Sequence, residues 1–133
     1  MAPKPDVIAS EWFARGDNDL RNATILFEHD GSDEAVCFLC QQAAEKYLKG
    51  FLVSNKKTYK LTHDLYLTLK DCTELDKEFT SLEDACRSLT SYYIETRYPT
   101  AVEEFTRKDS KEALEAAINI IEFVKDRAEK KKK

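Results

Sequence analysis

The most constraining feature of this sequence is an apolar stretch over residues 35–52, in which hydrophobic side chains recur every three or four residues. The positions that keep this spacing are Val36, Leu39, Cys40, Ala43, Tyr47 and Phe51. Such spacing is typical of one face of an α-helix. Phe38, Leu48 and Leu52 widen the apolar face, which leaves little of the helix surface for polar residues. The stretch therefore predicts a helix at the centre of a bundle.

The polar residues of this helix form a second stripe, which we call the polar seam. It consists of Gln42, Glu45, Lys46 and Lys49, again at three- and four-residue steps. Glu45 precedes Lys49 by four residues, which is the favourable order for an ion pair on a helix. The seam faces either solvent or a functional site, and the sequence leaves both interpretations open.

The rest of the chain is also predicted to be helical. The central helix is expected to end near residue 53, and further helices are predicted over residues 6–29, 62–72, 76–96 and 110–130. Thr62 is predicted to cap the short third helix. With only three Gly and three Pro, the chain has little capacity for β-turns or long loops. These patterns predict an all-α fold, an up-and-down bundle of four long helices plus a short fifth helix.

Length and composition suit one soluble domain. The 133 residues are expected to form a single unit, with a core over about 6–128 and a basic tail at 129–133. The net charge of −4 argues against a general phosphate-binding surface. We interpret the lysines at the end of the chain as a solvated tail, with weak nucleic-acid contact as the alternative. No apolar run is long enough for a membrane span, so a cytoplasmic protein is expected.

The four cysteines are expected to be core residues. Cys37 and Cys40 lie inside the apolar helix, whereas Cys72 and Cys86 are isolated. A zinc site would normally show a second closely spaced pair, and a redox pair normally opens a helix. The sequence therefore predicts no metal and no cofactor.

Two other features are candidates for ligand chemistry. Arg97, Tyr98 and Pro99 end a predicted helix, and a guanidinium beside a phenol hydroxyl can hold a phosphate or a carboxylate. Alternatively, Arg97 stabilises its own helix terminus while Tyr98 packs on the bundle. His63, one of two histidines, is either a capping and packing residue or a catalytic base.

Three segments together resemble the HEPN domain (higher eukaryotes and prokaryotes nucleotide-binding). They are, in chain order, CQQAAEKYLK at 40–49, THDL at 62–65 and TRYP at 96–99. Asp19, Leu20 and Ala23 fit the usual first helix of this family. The resemblance spans about residues 7–127. It implies a bundle of four to five helices, commonly a homodimer, and often encoded beside a minimal nucleotidyltransferase as a toxin–antitoxin or nucleotide-handling pair.

Many HEPN proteins are metal-independent RNases that carry an Arg followed, after four to six residues, by a His. Counting forward from Arg97, the His would replace Val102, Glu103 or Glu104, and none of these is His. Counting back from either histidine also meets no Arg. Because 2′-hydroxyl attack needs a proton acceptor that works near pH 7, the missing His favours binding over catalysis.

These observations give one leading hypothesis and two alternatives. The leading hypothesis is a helical domain that binds a nucleotide or a partner nucleotidyltransferase. The residues proposed for this site are Arg97, Tyr98, Lys46, Lys49, Glu45, Gln42 and His63. The first alternative is a divergent endoribonuclease toxin that uses Arg97 with His63 or Glu103. The second is a structural adaptor whose polar seam binds another protein.

Overall fold

The computed structural model describes the backbone of residues 5–97 and 105–132. These ranges contain no strand. Their helices are α1 (Pro5–Glu28), α2 (Asp33–Ser54), α3 (Leu65–Leu75), a 3₁₀ helix (Lys77–Leu82), α4 (Glu83–Arg97) and α5 (Arg107–Lys132). The predicted all-α bundle of four long helices and a short fifth is therefore confirmed.

Helix α2 is the centre of the bundle, as its apolar width predicts. It packs against α1, α3, α4 and α5. Val36, Cys40, Ala43 and Leu48 are completely buried in the core that these helices share. Since almost every turn of α2 is covered, its polar side chains are also drawn into contact with other parts of the chain.

Close packing of α1 on α2 depends on two glycines inside these helices. A Cβ atom at Gly16 would lie 2.7 Å from Cδ2 of Tyr47, and one at Gly50 would lie 2.6 Å from Cε1 of Phe13. The Phe13 and Tyr47 rings stack with centroids 4.9 Å apart. Gly16, which weakens the helical propensity of α1, therefore makes room for an aromatic ring.

Three helix boundaries differ from the sequence prediction. Helix α3 begins at Leu65 and is capped by Asp64, whose side chain accepts a hydrogen bond from the Tyr66 amide at 2.9 Å, so the prediction of Thr62 as the cap was wrong. The predicted helix over 76–96 instead begins with the 3₁₀ segment. Helix α5 begins at Arg107 and its backbone continues to Lys132, through most of the expected tail.

All four cysteines are buried and none forms a disulfide, as the core interpretation predicts. Burial, with a smaller contribution from the Asp64 and Glu83 carboxylates, raises the pKa of Cys86 to about 12. Burial is also the main cause that raises the pKa values of Cys40 and Cys72. These three thiols therefore stay protonated at neutral pH. Within the described ranges, no group of His, Cys, Asp and Glu side chains is arranged to hold a metal ion. None of the described helices is long and apolar enough to cross a membrane.

Candidate functional site

A line of buried polar residues on α2 forms the base of the candidate site. Gln41, Glu45 and Lys49 follow one another at four-residue steps, so they share one face of the helix. Their exposed fractions are 0%, 6% and 5%, respectively. Because buried polar groups are costly without partners, each of these side chains must be satisfied by nearby groups.

The Glu45 carboxylate is contacted by three nitrogen atoms. Its Oε1 lies 2.9 Å from Nδ1 of His63 and 3.3 Å from Nε2 of Gln41. Its Oε2 accepts a hydrogen bond from Nζ of Lys49 at 3.2 Å. The Glu45–Lys49 pair predicted from the spacing is therefore formed, but inside the protein.

The same residues fix the main chain between α2 and α3. Lys49 Nζ donates to the carbonyl of Thr62 at 3.1 Å, and Gln41 Nε2 donates to the carbonyl of His63 at 3.1 Å. The Lys49 ammonium also lies 5.2 Å from the ring centroid of Tyr59. Two adjacent carbonyl groups are thus held by α2, which determines where His63 is placed.

The His63 side chain lies between α2 and α4. It is 48% exposed, and its ring stacks on Tyr93 of α4 with centroids 3.8 Å apart and an angle of 14° between the planes. The Thr90 hydroxyl accepts a hydrogen bond from the Leu65 amide at 3.0 Å, which ties α4 to the start of α3. We call Gln41, Glu45, Lys49, His63 and Tyr93 the His63 cluster. It presents one oriented, partly exposed imidazole to solvent.

The predicted arginine corner follows directly on α4. Arg97 is the last residue of this helix, and its position is one helical turn beyond Tyr93. Tyr98 and Glu103 lie outside the described residues. The backbone therefore places Arg97 one turn after Tyr93, which is the member of the His63 cluster that lies on α4.

The rest of the polar seam divides between two sides of α2. Gln42 donates a hydrogen bond to Oε1 of Gln41 at 2.6 Å, so it adjoins the His63 cluster. Lys46 instead turns towards α1, where its Nζ lies 2.5 Å from Oδ2 of Asp19. There it lines an open depression of about 400 Å³ together with Trp12 and Arg15. The structure thus does not bring Lys46 to the His63 cluster.

Two members of the cluster were not among the predicted site residues. Gln41 could have been found, because it precedes Glu45 by the same four residues that separate Glu45 from Lys49. Tyr93 likewise precedes Arg97 by four residues. In both cases the signal is a four-residue helical spacing, from Glu45 or from Arg97, which were already proposed as site residues.

Comparison with known proteins identifies the family. The sequence model of the HEPN domain matches residues 9–127. The crystal structure of TT1696 from Thermus thermophilus has a TM-score of 0.80 at 31% identity, over 89% of this chain and 96% of that one. ST0689, described as an archaeal HEPN homologue, has a TM-score of 0.72 at 26% identity, over 90% of this chain and 96% of that one.

A curated relative gives a match of similar extent. The Methanocaldococcus jannaschii protein named "Putative toxin MJ1304" is 24% identical over 132 residues, which cover 89% of this chain and 86% of that protein. Since the HEPN match extends over nearly the whole sequence, this chain belongs to the HEPN domain family.

Proposed function

We propose that this chain is the HEPN component of a toxin–antitoxin-like pair and binds a nucleotide at the His63 cluster and the adjoining end of α4. The observation that carries the proposal is the placement of His63, which is half-exposed, stacked on Tyr93 and held by buried Glu45. Fixed polar groups beside an aromatic surface are typical of small-molecule sites. An oriented imidazole next to a helix that ends in Arg97 suits a ligand with both a phosphate and hydroxyl groups.

Each residue of the site has a distinct expected role. Arg97 would hold phosphate, Tyr98 would stack or donate a hydrogen bond, and His63 would contact the rest of the ligand. Lys49 already donates to Glu45 and to Thr62, so we assign it to support of the cluster and not to ligand contact.

The partner of this chain is proposed from family membership and from the relative in M. jannaschii. That relative is named as a toxin. A toxin-like HEPN chain would act in the cytoplasm as a homodimer, with a minimal nucleotidyltransferase as its counterpart. The genomic neighbour and co-purification with its product test this part of the proposal.

Nucleotide binding is tested by titrating ATP into the wild type and into Arg97→Ala and His63→Ala variants, with calorimetry as the measurement. Loss of a hydrogen bond to a charged group costs about 1.5–3 kcal/mol, so we expect Arg97→Ala to weaken binding by roughly 10- to 100-fold. Arg21→Ala and His29→Ala are matched controls at exposed positions of α1 and its C-terminal turn, and both should bind like the wild type. No binding by the wild type, or equal binding by Arg97→Ala, would contradict the proposal.

A second candidate function is metal-independent RNA cleavage. The contact between His63 and Glu45 favours it, because a carboxylate that orients an imidazole is a common arrangement for a general base. His63, or alternatively Glu103, would then accept the 2′-hydroxyl proton, with Arg97 as the other participant. Incubation of purified protein with single-stranded RNA in excess chelator tests this: cleavage that His63→Ala abolishes supports it, and intact RNA rejects it.

A further inference from the structure

We infer that the open depression beside α1 binds a small carboxylic acid with an apolar body. Ile8, Glu11, Trp12 and Arg15 of α1 line this depression together with Lys46 of α2, and its volume is about 400 Å³. We call it the α1 depression. Its volume lies within the range of about 300–1,000 Å³ that is typical of small-molecule sites. The site is separate from the His63 cluster and does not depend on the function proposed there.

Trp12 and Ile8 supply the apolar surface of the α1 depression. Both side chains are half-buried, so part of each remains open to a ligand. The Trp12 ring is fixed by an edge contact with Tyr59, with centroids 5.2 Å apart and an angle of 80° between the planes. Close packing on α2 also holds it, because a Cβ atom at Gly50 would lie 3.1 Å from the Cβ of Trp12. A fixed aromatic side chain offers a ligand contact area at little cost in conformational entropy.

Two cations line the same depression and can receive a carboxylate. Lys46 is held by Asp19, with its Nζ 2.5 Å from Oδ2, and its side chain is 23% exposed. An ammonium group has three donors, so this contact leaves two for another acceptor. The Arg15 side chain is exposed and forms no hydrogen bond or ion pair within the part of the chain that the structure describes. Its planar guanidinium can donate two parallel hydrogen bonds to one carboxylate.

The carboxylates around the depression limit the charge of the ligand. Glu11 lines the depression one helical turn before Arg15, and Asp19 lies beside Lys46. The two positive and two negative charges balance, so a nucleotide triphosphate or an RNA backbone would meet no excess of positive charge. A single carboxylate can contact Arg15 and Lys46 without adding a second charge near Glu11. The site therefore favours a monocarboxylate whose apolar part lies on Trp12 and Ile8.

Binding is measured through the fluorescence of Trp12, which is the only tryptophan of the chain and therefore reports on this depression alone. We expect 4-phenylbutyrate to give a saturable change in the wild type, with a Kd of about 1 mM, as its size allows. Arg15→Ala should weaken binding roughly tenfold, because it removes a charged hydrogen-bond donor. Arg21→Ala, at an exposed position of the same helix, is the matched control and should bind like the wild type.

Two further variants test the other charges of the site. Glu11→Gln should tighten binding roughly twofold, because it removes an exposed negative charge from the rim. Asp19→Asn/Lys46→Met removes both charges of the pair, so no buried partner is left unpaired, and it should weaken binding roughly tenfold. Circular dichroism shows that each variant is folded. An affinity of Asp19→Asn/Lys46→Met equal to that of the wild type would remove Lys46 from the site.

Two control ligands separate the contributions of the charge and of the apolar body. 4-Phenylbutylamine has the same ring with the opposite charge, and butyrate has the carboxylate without the ring. Both should bind at least roughly tenfold more weakly than 4-phenylbutyrate. No saturable change with 4-phenylbutyrate, equal binding of the amine, or an unchanged affinity in Arg15→Ala would overturn the inference. Each of these results leaves the ATP titration of the His63 cluster unaffected, so the two proposals fail separately.

Discussion

Replacement of Glu45 by leucine should lower the free energy of unfolding by about 3–5 kcal/mol, because it leaves the Lys49 ammonium buried without a counter-ion. The side chains of the two residues are only 8% and 6% exposed, so water can do little to compensate. The Thr62 carbonyl and the Tyr59 ring remain beside the ammonium, but neither carries a negative charge. The change is measured by urea denaturation followed by circular dichroism.

The double variant Glu45→Leu/Lys49→Met shows whether the unpaired charge causes the loss. Replacement of a buried ion pair by apolar residues of similar volume is often neutral, so the double variant should recover most of the lost stability. Lys60→Met is the control, because the Lys60–Asp71 pair is exposed on the lysine side and such pairs contribute about 0–1 kcal/mol. Equal unfolding midpoints for the wild type and Glu45→Leu would show that Lys49 does not depend on Glu45.

The buried position of this pair shows what the sequence could not predict. The four-residue spacing correctly pairs Glu45 with Lys49, since that relation is local to α2. Burial depends on the segment after α2, which folds back so that the carbonyls of Thr62 and His63 meet the polar face of the helix. The helical periodicity of residues 35–52 does not predict this long-range contact.

The separation of Lys46 from the cluster has a similar cause. Periodicity places Lys46 beside Glu45 and Lys49 in one polar stripe, but a neighbouring helix decides which contacts each residue makes. Asp19 of α1 lies opposite Lys46 and pairs with it. The stripe could thus be predicted from α2 alone, whereas its division between two surfaces required the packing of α1.

The 3₁₀ segment before α4 is another feature that helical periodicity alone could not predict. Phe79 and Leu82 keep the helical spacing of residues 76–96, so the sequence predicted one continuous helix. Asp76 instead adopts an extended conformation with φ −151°, and its side chain caps the 3₁₀ segment by accepting from the Glu78 amide at 3.0 Å. The side chain of Arg127 in α5 forms ion pairs with Asp76 and Glu78. Phe79 and Leu82 are nevertheless both buried, as their spacing predicts.

Truncation of Phe79 to alanine should therefore be among the most damaging substitutions in the protein, with a loss of about 3–5 kcal/mol in the free energy of unfolding. The ring is completely buried, and its centroid lies 4.5 Å from that of Phe51 in α2 and 4.9 Å from that of Phe123 in α5. Its removal leaves a cavity between two helices and breaks two aromatic contacts, each worth about 0.5–1.5 kcal/mol beyond burial.

Urea denaturation of Phe79→Ala and Phe79→Leu measures this loss and separates its parts. Phe79→Leu fills much of the cavity but has no aromatic ring, so its stability should lie between that of Phe79→Ala and that of the wild type. Leu61→Ala is the control for loss of an apolar side chain, because Leu61 is 96% exposed and its removal should change stability by less than about 0.5 kcal/mol. If Phe79→Ala behaved like Leu61→Ala, the 3₁₀ segment would not be anchored by this ring.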